Sequence, residues 1–354
     1  MRYGRLVGVG GIGTGLFFAL QGDHDLGRDE SRPARRLDVR DYGKLHIVAH
    51  YPAVLLRARA AGSPFHVLPV GRVGADPAGE GLREEMAAAG MDVRFVRATR
   101  DRPTQLSVCF QYPDGSGGNI TASDSAAQSL TPADVEEAQA LLDSNTIALA
   151  VPEIPLDARR RLLERATEAG AFRVASFTSA ELRKPESHRL LTLTDLVSLN
   201  EDEATVLAGR SFSQDAPATF LEAVMAAATA HQKDIAVLVT AGAHGAFGAA
   251  GALRDHVPAL RVPVVSTAGA GDALLGGVVS GLALGLPLFG SSEAGLLDRP
   301  VESALDLGLC LATWSITSPH TIPPGLDRAA LGAFARGLGV RFGAAPERLL
   351  QAAA

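Results

Sequence analysis

The run Ser266-Thr267-Ala268-Gly269-Ala270-Gly271-Asp272, followed by Ala273-Leu274-Leu275-Gly276-Gly277-Val278, sets one carboxylate beside a turn of very small residues. Small residues let the backbone approach an anion closely. Apolar periodicity from Ala273 predicts a helix, so the amides of Gly269, Ala270 and Gly271 stand at a helix N-terminus, where N–H groups lack partners and favour anions. The helix dipole keeps Asp272 ionised there. A base beside an anion hole is what phosphorylation of an alcohol requires. The acid takes the hydroxyl proton while amides neutralise charge growing on the transferred group. The same residues also fit a plainer description, an Asp N-cap after a glycine turn.

A second run, Gly8-Val9-Gly10-Gly11-Ile12-Gly13, matches G-x-G-x-x-G at the end of a strand. Dinucleotide binding needs a helix next and an acid about 20 residues further on. Here residues 23–41 form a charged run containing Pro33. The run at 8–13 therefore reads as a tight exit from the first strand, or as a glycine floor for another small ligand, with Gly11 its candidate contact.

Positioning these groups requires strands that end at one edge. Buried or β-branched runs predict strands at 5–10, 65–70, 105–112, 146–151, 172–176, 196–199, 235–239 and 246–250. Helical periodicity covers 53–61, 79–89, 131–143, 156–169, 216–230 and 272–284, and Gly90 stops the second of these. Residues 113–118 read as a turn, with 119–122 as its returning hairpin strand. The charged stretch 23–44 reads as an exposed flap, a lid strand or a surface loop. Strands alternating with helices of 10–15 residues give an α/β fold, a mostly parallel sheet covered on both faces. The alanine-rich end from Ala344 is expected to fray.

Composition narrows the function. With 354 residues the chain makes one large α/β unit or about two domains. A net charge of −6 argues against a general nucleic-acid coat, and 5% aromatic residues supply little for base stacking. The two cysteines, Cys109 and Cys310, give no disulfide framework, which suits a reducing cytoplasm. Residues 6–20 follow Arg2 and Arg5 like a signal peptide, but Gly8, Gly10, Gly11, Gly13 and Gly15 interrupt them. No stretch reads as a membrane-spanning helix.

Taken with its neighbours in the chain, STAGAGDALLGG resembles the C-terminal D-T-x-G-A-G-D signature of the PfkB family of carbohydrate kinases, which has the ribokinase-like fold. Other matches fall in the same order. Gly71 to Gly79 is similar to G-x-V-G-x-D-x-x-G, Glu153-Ile154-Pro155 to E-I-P, Asn200-Glu201-Asp202-Glu203 to N-x-x-E, and Thr240-Ala241-Gly242-Ala243-His244-Gly245 to T-x-G-x-x-G. The resemblance implies a doubly wound sheet over residues 1–340 with a small β lid from about 14–47 and 100–125. It also implies that Asp272 is the base and that Ala268, Gly269, Ala270 and Gly271 form the anion hole. Asn200 and Glu203 would organise Mg²⁺, with Glu203 its metal-facing carboxylate, and Thr240, Gly242 and Gly245 would lie beneath the ATP phosphates. Glu153 would hold a substrate hydroxyl. A homodimer through the lid and a cytoplasmic location are further expectations. Plainer roles stand beside these: Asn200 and Glu203 as a helix cap, 240–245 as an ordinary ββ turn, Glu153 as a surface acid.

The departures from that pattern concern the acceptor. The family's N-terminal Gly-Gly pair and Asn would fall at Val48-Ala49-His50-Tyr51-Pro52-Ala53, where both are missing, so His50 and Tyr51 become candidate contacts. The acid expected after the first strand has Thr14 and Asp23 as its nearest options. Ser266 replaces the first Asp of the C-terminal signature, which predicts weak or absent K⁺ activation. Arg28, Arg32, Arg35, Arg36, Arg40 and Lys44 could clamp an anionic sugar or simply line a solvated lid. The expected activity is ATP- and Mg²⁺-dependent phosphorylation of a sugar-like alcohol. The alternatives are a nucleoside kinase of the same fold, a silent sugar- or nucleotide-binding regulator, and a dinucleotide-dependent oxidoreductase.

Overall fold

The computed structural model describes residues 1–60, 64–113, 117–290 and 294–351. The strands are β1 (Arg5–Val9), β2 (Gly13–Leu20), β3 (Ala34–Leu37), β4 (His66–Gly74), β5 (Val96–Thr99), β6 (Gln105–Gln111), β7 (Gly117–Thr121), β8 (Thr146–Ala150), β9 (Phe172–Ser176), β10 (Leu196–Asn200), β11 (Ala236–Thr240), β12 (Ala246–Ala250) and β13 (Leu253–Val257). The helices are α1 (Lys44–Leu55), α2 (Pro77–Ala88), α3 (Pro132–Glu136), α4 (Leu156–Glu168), α5 (Ser179–Leu182), α6 (Pro185–Leu191), α7 (Glu201–Ala208), α8 (Pro217–Thr229), α9 (Ala270–Leu284), α10 (Ala304–Ser315), α11 (Arg328–Gly337) and α12 (Ala344–Gln351).

Nine strands form one sheet in the order β13-β12-β11-β10-β9-β8-β1-β4-β5. All neighbours pair parallel except β11 with β12 and β12 with β13. Both faces are covered, and the side-chain alternation of β8 shows it. Ile147 and Leu149 enter one core with α1, α9 and α10, while Ala148 and Ala150 enter the other with α4 and α8. The chain winds outward in both directions from β1, so the order reverses between β1 and β8. A crevice at the carboxyl ends of such strands is where doubly wound sheets bind ligands. The second sheet has the order β3-β2-β6-β7, with β2 and β6 parallel and both outer pairs antiparallel.

Helix α9 is the central support. Ala273 to Ala283 are all buried. Two of its glycines mark close approaches: a Cβ on Gly276 would lie 2.8 Å from Tyr51 Cβ, and one on Gly277 would lie 2.6 Å from Gly308 Cα. The helix expected over 53–61 is shifted: α1 begins at Lys44 and ends at Leu55, with Pro52 inside it. Pro52 has no N–H to give the Val48 carbonyl, and that freed oxygen faces the bare side of Gly276.

After Gly13 the chain continues as β2 and no helix intervenes, so the run at 8–13 is an exit from β1 and lacks the helix N-terminus that dinucleotide binding needs. The expected fraying from Ala344 is replaced by α12, whose Leu349 and Leu350 are buried; residues 352–354 lie outside the described residues. The turn expected at 113–118 lies partly outside them too, at 114–116. Among the described residues no helix is long and apolar enough to cross a membrane.

Candidate active site

Four strand ends and two helix starts converge. Gly269, at φ +78°, is the N-cap of α9 and holds the left-handed backbone that glycine adopts without cost. A Cβ there would stand 3.0 Å from Thr321, so the turn is packed as well as bent. Ala270 donates its N–H to Thr267 O at 3.2 Å, and Ala268 donates to Ser266 Oγ at 3.2 Å. The following amides of the first turn have no intrahelical acceptor. Asp272 lies in that turn. Its carboxyl is raised above the ordinary carboxylate range, chiefly by desolvation, with the charge of Lys44 opposing the rise.

The partner of Asp272 is Lys44, which the sequence offers only as one member of the charged run. It is the first residue of α1, and its Nζ lies 3.6 Å from Asp272 Oδ2. The charges of Asp272, Glu153 and Glu203 raise its pKa against the desolvation that would lower it, so it stays protonated. The sequence signal was a single lysine after Gly43. Reading the helix start nine residues too late hid it inside the charged run.

Glu153 follows β8. Its Oε2 accepts the Lys44 backbone N–H at 3.0 Å and Gln105 Nε2 at 3.0 Å. Its backbone sits at φ +76°, a costly conformation for a residue with a side chain. Gln128 Nε2 holds its carbonyl at 2.9 Å. Gly11 is needed beside it, because a Cβ at Gly11 would fall 2.1 Å from Glu153 Oε2. Glu153 is pushed above the usual carboxylate range by burial, with Lys44 lowering it. It is therefore no surface acid.

The other half of the cleft belongs to Asn200, Glu203, Thr240, Gly242 and Gly245. A cavity of about 1150 Å³ runs from Lys44 and Asp272 past these residues to Phe212, His244, Phe247, His256 and Ile316. Asn200 Oδ1 accepts from the Glu203 N–H and Glu203 Oε2 accepts from the Asn200 N–H, each at 2.8 Å. That is a capping box on α7, the plainer of the two roles expected for this pair. Burial lifts the Glu203 carboxyl to about 7. Gly245, at φ +86°, would push a Cβ within 2.1 Å of Val257 O, which fixes the turn between β11 and β12. His256 Nε2 bonds to His244 O at 2.8 Å, and its ring stacks on Phe247 with 4.2 Å between centroids.

His50 lies six residues into α1, about 9 Å along the helix from its start, beside His46 at 6.0 Å between ring centroids; its Nδ1 is buried with no hydrogen-bond partner among the described residues, and it is not among the residues lining the cavity. Thr14 pairs with Tyr42 at the edge of the small sheet, and Asp23 is exposed beyond β2. The carboxylate that does approach is Asp41, whose charge couples to Asp272 and Lys44. The arginine run makes no common clamp. Arg32 bonds to Glu30 at 2.6 Å and to the carbonyls of His24 and Asp25, while Arg35 and Arg36 are exposed on β3. His320 ends on the same hinge, with Nδ1 accepting from the Arg40 N–H at 2.9 Å.

The sequence profile described as "pfkB family carbohydrate kinase" matches residues 58–328. A ribokinase of Haemophilus influenzae is 25% identical over 246 residues, covering 69% of this chain and 73% of that protein. Among solved structures, ribokinase from Giardia lamblia superposes with a TM-score of 0.75 at 18% identity, over 93% of this chain and 99% of that one. Aminoimidazole riboside kinase from Salmonella enterica, solved with its riboside and an ATP analog, gives a TM-score of 0.64 at 19% identity over the same shares. The fold is ribokinase-like and the profile spans most of the chain: the chain belongs to the pfkB family of carbohydrate kinases.

Proposed function

We propose that Asp272 is the base in transfer of the γ-phosphoryl group of ATP to a hydroxyl of a sugar-like small molecule. The observation that carries this reading is the placement of Asp272 in the first turn of α9, opposite Lys44, at the end of the 1150 Å³ cleft. A carboxylate with a raised pKa takes a hydroxyl proton more readily than an ordinary one. Of the expected anion-hole amides, those of Ala268 and Ala270 are spent within the turn, which leaves Gly269 and Gly271 to face the charge that grows on the transferred group, and Lys44 adds a fixed positive charge from the other side. Glu153, anchored by Gln105 and Lys44, orients the acceptor. Thr240, Gly242 and Gly245 support the nucleotide phosphates, and the cavity beyond them takes the base.

Mg²⁺ fits this donor set. Asn200 gives its one side-chain oxygen to the capping box and Glu203 gives one of its two, and the buried Glu203 carboxyl gains from a nearby dication. One carboxylate with retained waters suits that ion. When bound, Mg²⁺ would neutralise charge on the phosphate oxygens. Ser266 stands where the family signature has an acid, so K⁺ should stimulate little.

In this reading the lid expected at about 14–47 and 100–125 is the small sheet with its connections, the first of them ending at Gly43 because α1 begins at Lys44, and its closure excludes water from the phosphates. Its outer face carries Leu16, Phe18, Leu106, Val108, Phe110 and Ile120, with Ile120 67% exposed. That apolar face supports a homodimer through the lid. Cys109 and Cys310 are both free thiols, in keeping with a reducing cytoplasm.

A panel of sugars and nucleosides with coupled ADP detection tests the proposal. ADP release that depends on a hydroxylated acceptor is expected. Nucleosides outpacing every sugar would favour the nucleoside alternative, and ATP binding without acceptor-dependent release would favour the silent regulator.

A further inference from the structure

The small sheet has two unlike faces. Its register pairs Gly13 with Gln105, Gly15 with Ser107 and Phe17 with Cys109 across β2 and β6, and Ser107 with Thr121 and Cys109 with Asn119 across β6 and β7. Alternation puts all of these on one side. This side meets the catalytic cluster, since Gln105 bonds to Glu153 and Cys109 Sγ stands 4.0 Å from Asp41 Oδ2.

Asp41 enters from the hinge before α1 and not from the loop after β1. Its carboxylate occupies the room left by a bare Gly15, where a Cβ would sit 2.0 Å from Oδ2. The Tyr42 backbone and the Thr321 side chain hold it, and it keeps partial exposure. Gln105 supplies an independent sign of a ligand. It is 2% exposed, its Nε2 is spent on Glu153, and its Oε1 has no hydrogen-bond partner among the described residues. A buried acceptor left without a donor costs about 1–3 kcal/mol, and a donating ligand removes that cost.

The groups on this rim are acceptors: the Asp41 and Glu153 carboxylates and the Gln105 carbonyl oxygen. A hydroxyl can donate to each. A phosphate or carboxylate on the acceptor would instead face Asp41, Glu153 and Asp272 with Lys44 as counter-charge. The arginine sharing this face, Arg35, stands opposite Ala19, four residues beyond Gly15 and about 13 Å along the strand.

We propose that Asp41 determines acceptor specificity: with Gln105 it receives hydroxyl donors of an uncharged polyol, and it disfavours phosphorylated sugars. This rests on the kinase reading of the same site. The test compares wild type with Asp41→Asn and Asp41→Ala on D-ribose, D-fructose and ribitol, and on D-ribose 5-phosphate and D-fructose 6-phosphate. Acceptor KM and kcat, KM for ATP, and acceptor binding by calorimetry are all measured. Turnover of an uncharged member is expected. Its KM and Kd should rise about tenfold or more in Asp41→Ala and less in Asp41→Asn, with the KM for ATP held within about threefold. Removing the contacted hydroxyl from the acceptor should abolish the difference in acceptor affinity between wild type and variants. A purely structural role would raise the KM for ATP as well. Unchanged acceptor affinity in Asp41→Ala, or turnover confined to the phosphorylated sugars, overturns the proposal. The second outcome leaves the kinase reading standing, whereas absence of ADP release with every acceptor overturns both.

Discussion

Lys44 Nζ lies 3.6 Å from Asp272 Oδ2, joining the first residue of α1 to the first turn of α9 across the cleft. The Lys44 charge opposes the rise that burial causes in the Asp272 pKa. The contact also ties Asp272 to the segment that leaves the small sheet, because Asp41, Tyr42 and Gly43 immediately precede Lys44.

Removing that charge should be costly and should change the pH profile. Lys44→Met is expected to lower kcat by about 10²–10³-fold, the range for loss of a preorganised electrostatic partner. Lys44 lowers the pKa of Asp272, so its loss raises that pKa. The acid limb of kcat against pH should then move to higher pH. An acid limb that stays in place, measured from pH 5 to 9, would separate Lys44 from the base.

Helix α9 predicts a stability effect remote from the chemistry. Gly277 meets Gly308 of α10 backbone to backbone, at 2.6 Å from a would-be Cβ to Cα. Neither helix can yield without disturbing the core, where Val278, Val279 and Leu307 are fully buried. Gly277→Leu should destabilise the fold by about 1–3 kcal/mol or more, as overpacking does. Urea unfolding checks this, and an unchanged midpoint would contradict the packing described.

His46 gives a pH-dependent stability. Burial holds its imidazole down at about 3, against 6.5 for an ordinary histidine. Between those values the unfolded chain binds a proton that the folded chain does not. The stability contributed above pH 6.5 is therefore lost as pH falls, by up to about 1.4 kcal/mol per pH unit. His50, pushed down to about 4, acts in the same direction. Asp41 and Glu203, lifted to about 6 and about 7, act the opposite way: acid favours their folded form, and their cost returns as pH rises through those values. His46→Gln should remove its own share, about 2 kcal/mol between pH 6.5 and 5. Parallel stability curves for the two proteins over that range would show that His46 does not titrate on unfolding.

How much of this was legible in the sequence follows from the kind of signal involved. The strands from β8 to β12 announced themselves because each is a short apolar run bounded by turn residues, as at 146–150 and 236–240. The turn at 266–272 was legible because small residues and one acid leave little else to build. Glu153 was legible only through resemblance, since neither its φ of +76° nor its burial has a local signature. Lys44 and Asp41 were hidden for a tertiary reason. Their role depends on where β2 and α1 place the hinge, and a proline inside α1, tolerated because Gly276 gives it room, masked the start of that helix.

The most direct test is Asp272→Asn, assayed for ADP release with the best acceptor and for ATP binding by calorimetry. The amide keeps the shape and hydrogen-bonding capacity at the foot of α9 but cannot take the hydroxyl proton. A fall in kcat of about 10²–10⁴-fold with ATP affinity largely retained is predicted. Full turnover in that variant would contradict the assignment of the base and, with it, the account of the cleft.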